Sequence, residues 1–188
     1  MPNPMFRLYL ALSLDGLIAD KDGGVHWLDG FDPEQLGFSS FLSQIGTIVM
    51  GRSSYDQALG FGLHYYGDRR IVVMTQRDFT PAAPNVESWN GSVEALADKL
   101  AAETASGDVW VFGGGKVARS FLEAGRLDTL ELYVVPLILG EGISLFGPGT
   151  VPAKLQPMVA HRHDNGVVQL TYRIEQGAAR NRAGKATR

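Results

Sequence analysis

The chain contains no cysteine, so disulfides, thiolate zinc sites and cysteine nucleophiles are all excluded. Long apolar runs are also missing, and none approaches the ~20 residues that span a bilayer. The opening residues, Met1-Pro2-Asn3-Pro4-Met5, lack the charged leader and apolar core of a secretory signal. The expected location is the cytoplasm. Neither sign of charge dominates: the net charge is −3, which gives no overall reason to expect nucleic acid or a membrane surface as partner. Any anion-binding site must be local. There is no internal repeat. With 188 residues, 45% of them hydrophobic and 20% charged, the chain is of ordinary globular make-up and long enough to bury a substantial core.

Domain organisation reads as one domain over residues 1–176, followed by a basic tail over 177–188. The tail carries Arg180, Arg182, Lys185 and Arg188 among Ala, Gly and Thr, a composition that cannot pack and is expected to be disordered.

Within the domain, Phe6 to Leu12 reads as a strand buried on both faces. The polar, glycine-containing stretch from Asp15 to Gly30 is long for a simple connection and suggests a binding loop. Asp32-Pro33 is a helix start, with a helix expected to about Gln44. Further strands are expected at Thr47–Met50, Ile71–Thr75, Val86–Trp89, Asp108–Phe112 and Leu130–Val135. Helices are expected from Gly51, from Asn90 or Ser92 to near Gly107, and over Lys116 to Ala124. Val159–His163 and Val167–Ile174 flank Asn165-Gly166, a strong hairpin signal. Strand–helix units closed by a hairpin imply a mostly parallel sheet with an antiparallel edge, which binds ligands at the carboxyl ends of its strands.

Three such strand ends suit phosphate. Gly51-Arg52-Ser53-Ser54 offers glycine, a guanidinium, two hydroxyls and the free N–H groups of a helix start. Gly113-Gly114-Gly115-Lys116 allows backbone geometry closed to other residues and can form an anion nest at a helix N-terminus. It matches neither the dinucleotide fingerprint nor the P-loop. Thr75-Gln76-Arg77 could hold a ribose 2′-phosphate. Each has a plain reading as a turn or helix start; their convergence at successive strand ends is the signal.

The residues Leu10 to Ala19 and the Met50-Gly51-Arg52 and Phe112-Gly113-Gly114-Gly115 turns occur in the order and spacing of dihydrofolate reductase. More specifically, Ser13-Leu14-Asp15-Gly16 and Val135-Pro136-Leu137-Ile138-Leu139-Gly140 resemble the reductase domain of the bifunctional riboflavin-biosynthesis deaminase/reductase and its stand-alone relatives. The resemblance covers about residues 5 to 175. It implies a dihydrofolate-reductase-like α/β three-layer sandwich, with a mostly parallel central sheet, a C-terminal antiparallel hairpin and helices on both faces.

It also implies NADPH as cofactor and a reductase acting on a small heterocyclic substrate, in the manner of 5-amino-6-(5-phosphoribosylamino)uracil reductase. Ala11 and Ile18 would offer backbone groups to the nicotinamide carboxamide. Gly51, Arg52 and Ser53 would take the adenosine-side phosphates, Thr75, Gln76 and Arg77 the 2′-phosphate, and Gly113, Gly114, Gly115 and Lys116 the pyrophosphate. Asp15 and Trp27 are the candidate catalytic residues. Asp15 would orient ribityl-type hydroxyls or simply form the turn; Trp27 would stack on a heterocycle or anchor the loop.

An open pocket walled by Asp15, Trp27 and the 136–146 loop is expected for hydride transfer, and a filled one for a protein that only holds a dinucleotide. His64, Tyr65 and Tyr66 are candidates for the substrate side. Dihydrofolate reductase itself is the enzymatic alternative, with Asp32 or Glu34 in place of its pterin-binding carboxylate, although Asp32 before Pro33 suits a helix cap better. A zinc deaminase half needs paired cysteines, which are absent. His161 and His163, two apart on a strand, are more simply hairpin residues than ligands, and no metal site is expected. The partners implied are a small molecule and, from the resemblance, a second copy of the chain, with Leu130–Val135 and Leu137–Phe146 as the candidate interface.

Overall fold

A computed structural model describes residues 3–103 and 107–175; the basic tail lies outside them. Among these residues no helix is long and apolar enough to cross a membrane. The core is an eight-stranded sheet. Its strands are β1 (Phe6–Ser13), β3 (Ile45–Gly51), β4 (Arg70–Met74), β5 (Val86–Trp89), β6 (Asp108–Gly113), β7 (Thr129–Val135), β9 (Leu155–Arg162) and β10 (Val168–Ile174). Spatial order is β5-β4-β3-β6-β1-β7-β10-β9. Every pairing from β5 to β7 is parallel, and β10 runs antiparallel to both β7 and β9.

The apolar runs of the central strands hide a period of two. Val49, Val72, Val109 and Val111 face one side and pack on α3 (Val93–Ala102) and α4 (Gly115–Glu123). Their neighbours Ile48, Met50, Ile71, Val73 and Trp110 face the other, against α1 (Phe38–Leu42) and α2 (Arg52–Phe61). A sheet covered on both faces can afford no exposed side, which is why the strands read as continuous apolar runs. The result is the expected three-layer α/β sandwich.

Several boundaries differ from expectation. The helix expected over 32–44 is a 3-10 turn at Pro33–Leu36 followed by the short α1, because Gly37 between them takes φ +79° and breaks the run. The helix expected to reach Gly107 ends at Ala102, where Glu103 turns extended. The fourth helix begins at Gly115, not Lys116, and the hairpin's first strand begins at Leu155, four residues before Val159. β7 lies between β1 and β10, so both its edges are taken by sheet hydrogen bonds and it can offer a partner neither.

One element had no counterpart in the sequence reading. Leu17–Ala19 (β2) pairs antiparallel with Ile143–Ser144 (β8) as a two-stranded patch. It lies beside the amino end of α4, close enough that a Cβ on Gly115 would stand 2.7 Å from the Ser144 carbonyl oxygen.

Candidate active site

The chain runs out from β1 to β3, β4 and β5, then returns to insert β6 between β3 and β1 before adding β7 on the far side. The connections therefore diverge at β1 and leave a crevice at the carboxyl ends of the strands. Two cavities occupy that crevice. One, of about 920 Å3, is lined by the ends of β3, β4 and β5 and the amino-terminal turns of α2 and α4. The other, of about 590 Å3, is lined by the ends of β1 and β6, the loop after β2 and the inner face of α2. Ser53, Ser54, Gly114 and Ile143 line both. The two are halves of one cleft pinched at these residues.

The pinch is built by backbone. Gly113 sits at φ +112° and Gly114 at φ +21°, conformations that a side chain would resist. The Gly114 N–H donates to Ser54 Oγ at 3.0 Å, tying the start of α4 to the start of α2. Gly115 abuts the Ser144 carbonyl oxygen as described. Three glycines are needed for separate reasons: two for backbone angle and one for close approach.

The larger cavity is cationic. Arg52, Arg77, Lys116 and Arg119 line it. Arg52 is partly engaged, its Nε donating to the Asp56 carboxylate at 2.8 and 3.0 Å and its Nη1 to the Asp78 carbonyl at 3.2 Å. Among the described residues Arg77, Lys116 and Arg119 form no side-chain ion pair. Thr75 Oγ1 accepts from the Arg77 N–H at 3.1 Å, which shapes the turn after β4. Free N–H groups at two helix starts, with unpaired cations around them, make a site for a multiply charged anion.

The smaller cavity is aromatic and nearly uncharged. Its walls include Phe38, Phe61, Tyr66, Trp110 and Phe112, with Ala11 and Ile18 at the β1–β2 side. Burial pushes the Tyr66 hydroxyl up to about 12. Tyr9 is raised further, by burial first and then by Tyr133. Both phenols are therefore neutral donors at ordinary pH.

Every residue that the family resemblance assigns to a dinucleotide lines this cleft. Gly51, Arg52, Thr75, Gln76, Arg77, Gly115 and Lys116 line the cationic half, Ala11, Ile18 and Gly113 the aromatic half, and Ser53 and Gly114 both. The two candidate catalytic residues line neither half. Asp15 Oδ1 and Oδ2 accept from the Leu139 and Gly140 N–H groups at 3.1 and 2.8 Å. The Leu14 N–H donates to the Leu137 carbonyl at 2.8 Å and the Leu145 N–H to the Gly16 carbonyl at 3.1 Å. The Ser13–Gly16 and Val135–Gly140 motifs thus clasp one another.

Trp27 packs against the second core with its Nε1 buried and unpartnered among the described residues. Of the walls expected for the open pocket only Ile143, from the 136–146 loop, lines it. Tyr66 lines it too, whereas His64 and Tyr65, whose tilted rings lie 4.4 Å apart, do not. Asp32 caps the 3-10 turn, accepting from the Glu34 N–H at 2.9 Å, and neither it nor Glu34 lines the aromatic half. His161 and His163 meet edge to face, and no three-residue metal cluster exists among the described residues. Sequence reasoning missed Asp22 and Gln57, the polar side chains of the aromatic half besides the serines and tyrosines. Only the fold brings them together.

Residues 4–169 match the family model described as the RibD C-terminal domain. The uncharacterized protein YwjB of Bacillus subtilis is 32% identical over 167 residues, 88% of this chain and 95% of that protein. The riboflavin biosynthesis protein RibD of Corynebacterium ammoniagenes is 30% identical over 154 residues, covering 76% of this chain but 46% of that longer protein. Among solved structures, dihydrofolate reductase from Enterococcus faecalis, complexed with NADP(H) and RAB-propyl, superposes with a TM-score of 0.66 at 20% identity. That superposition spans 91% of this chain and 96% of the reductase, and it establishes the fold.

Proposed function

The chain belongs to the RibD C-terminal domain family, and from that premise we propose that it is an NADPH-dependent reductase of a small heterocyclic compound of the kind handled in riboflavin biosynthesis. One observation carries the reading: the residues assigned to the dinucleotide line a single cleft whose cationic and aromatic halves meet at Gly114. The larger half suits the cofactor's phosphates, since Arg77, Lys116 and Arg119 lack ion-pair partners among the described residues and the Gly115 backbone leaves no space for a Cβ.

In this reading Thr75, Gln76 and Arg77 hold the 2′-phosphate, Gly51, Arg52 and Ser53 the adenosine-side phosphates, and Gly113 to Lys116 the pyrophosphate. Ala11 and Ile18 hold the nicotinamide edge. NADPH, when bound, supplies the hydride. The chain's own work is orientation and exclusion of water: Ile143 brings an apolar side chain to the pinch, Ile18 lines the aromatic half, and the aromatic walls keep the reacting face dry. Tyr66 stays protonated and offers a hydrogen bond to the substrate rather than acting as a base, while the Tyr9 hydroxyl is engaged with Tyr133.

The aromatic cavity is open, as hydride transfer requires, although its wall takes only Ile143 from the expected set and neither Asp15 nor Trp27. Dihydrofolate as substrate is disfavoured, because neither Asp32 nor Glu34 lines that cavity.

The test is a fluorescence titration with NADPH and NADH, in which Trp89 reports on the cationic half and Trp110 on the aromatic half. NADPH is expected to bind at least tenfold more tightly, and Arg77→Gln to erase most of the difference. A charge-assisted contact is worth about 1.5–3 kcal/mol, enough for that factor. Failure of both nucleotides to bind would end the reductase reading.

A further inference from the structure

Among the described residues, the aromatic half of the cleft has no cation. Its lining residues include no Lys, Arg or His, and the only ionisable side chains among them are Tyr9, Tyr66 and Asp22. The two phenols are held neutral by burial, which leaves Asp22 as the sole charge among the described lining residues. Asp22 is exposed, and its backbone N–H is turned inward to Asp20 Oδ1 at 2.9 Å. Beside it, Gln57 Nε2 donates to the Gly23 carbonyl at 3.0 Å, which holds the loop after β2 against α2.

The surrounding loop adds to the negative field. Asp20, Asp22, Asp29, Asp32 and Glu34 follow in the sequence; the cation among them is Lys21, which faces Glu141 at 3.6 Å, while His26 Nδ1 lies 3.4 Å from Asp29. The helix starts that could bind an anion, those of α2 and α4, open at the pinch and are claimed there by the dinucleotide.

With the dinucleotide on the two helix starts, a phosphate placed in this half would lose hydration without gaining a charged or helix-terminal partner among the described residues, and it would face a carboxylate. We infer that the compound reduced here is a planar heterocycle without phosphate, neutral or singly cationic, and that Asp22 discriminates against the phosphorylated form. The inference rests on the reductase reading for the word "reduced" and departs from the phosphoribosylamino substrate that family resemblance implies. Asp22 is a specificity residue in this scheme: it selects by charge at the entrance and takes no proton.

The experiment is isothermal titration calorimetry of the NADP+-saturated protein with two matched pairs. One is riboflavin and its 5′-monophosphate; the other is 5-amino-6-ribosylaminouracil and its 5′-phosphate. In at least one pair the unphosphorylated member is expected to bind tenfold or more tightly than its phosphate. Asp22→Asn should shrink the ratio and Asp22→Lys should reverse it, with melting temperature as the check that each variant is folded.

Tighter binding of the phosphates, equal binding within threefold, or no binding by any member would each overturn the inference. The same titrations on the nucleotide-free protein separate the two proposals. If NADPH does not bind but the charge preference persists and responds to Asp22, the reductase reading falls while the selectivity of the cavity stands.

Discussion

Asp15 is exposed, yet its carboxyl is held down to about 2, by the Ser13 hydroxyl first and then by the N–H groups of Gly140 and Leu139. A carboxyl lowered on folding adds stability that is fully present above its unfolded value, roughly 3.9. That contribution fades as pH falls through about 2, and the clasp between the two loops should loosen over the same window. Amide proton shifts of Leu139 and Gly140, followed by NMR, should therefore hold steady at pH 4 and titrate near 2, and Asp15→Asn should remove the transition. A midpoint near 4 would mean the carboxylate does not hold this loop. Asp15 was legible as a turn residue from the Asp-Gly pair, but its partners Leu139 and Gly140 lie more than a hundred residues away in the chain and no local pattern could name them.

At the scale of elements, β1 and β7 share more than backbone. Arg7 Nε donates to Glu131 Oε1 at 2.7 Å, while its Nη1 reaches Asp108 at 3.1 Å and Gln44 at 2.8 Å. The guanidinium also lies 4.8 Å from the Phe41 ring centroid. Both charged residues are buried, so removal of one leaves the other poorly compensated. Glu131→Ala is expected to lower the unfolding free energy by roughly 3 kcal/mol, the lower part of the range for a broken buried pair, because Asp108 still faces Arg7. Urea denaturation measures it; a loss under about 1 kcal/mol would place the pair among solvent-exposed bridges.

Elements with a strong period or punctuation, such as β10 and the Ser92-capped α3, were readable at their starts. The β2–β8 patch was not. Strands of three and two residues carry too few positions for a pattern and exist only because the fold brings 17–19 beside 143–144.

For the whole molecule, β9 is the exposed edge. It closes one edge of the sheet, and all eight of its residues are exposed although Leu155, Met158 and Val159 are apolar. An uncovered apolar edge strand invites pairing with another chain. Leu137 and Ile138 of the clasp loop are exposed as well. The homodimer implied by family resemblance is proposed to form on these surfaces rather than on β7. Sedimentation should show a dimer, and a Met158→Asp, Val159→Asp double variant a folded monomer. A wild-type chain that stays monomeric at every concentration would rule this out.

The sequence by itself determined the alternation of strand and helix, the closing hairpin and the three anion-friendly turns. These depend on residues adjacent in the chain: apolar period, caps, and glycines where a backbone angle demands them. Only the tertiary structure decided which turns face a common cleft, that Asp15 clasps a loop, and that Asp22 is the charge beside the aromatic cavity. Those facts depend on β6 returning between β3 and β1, a long-range pairing that brings distant strand ends together and that no local pattern encodes.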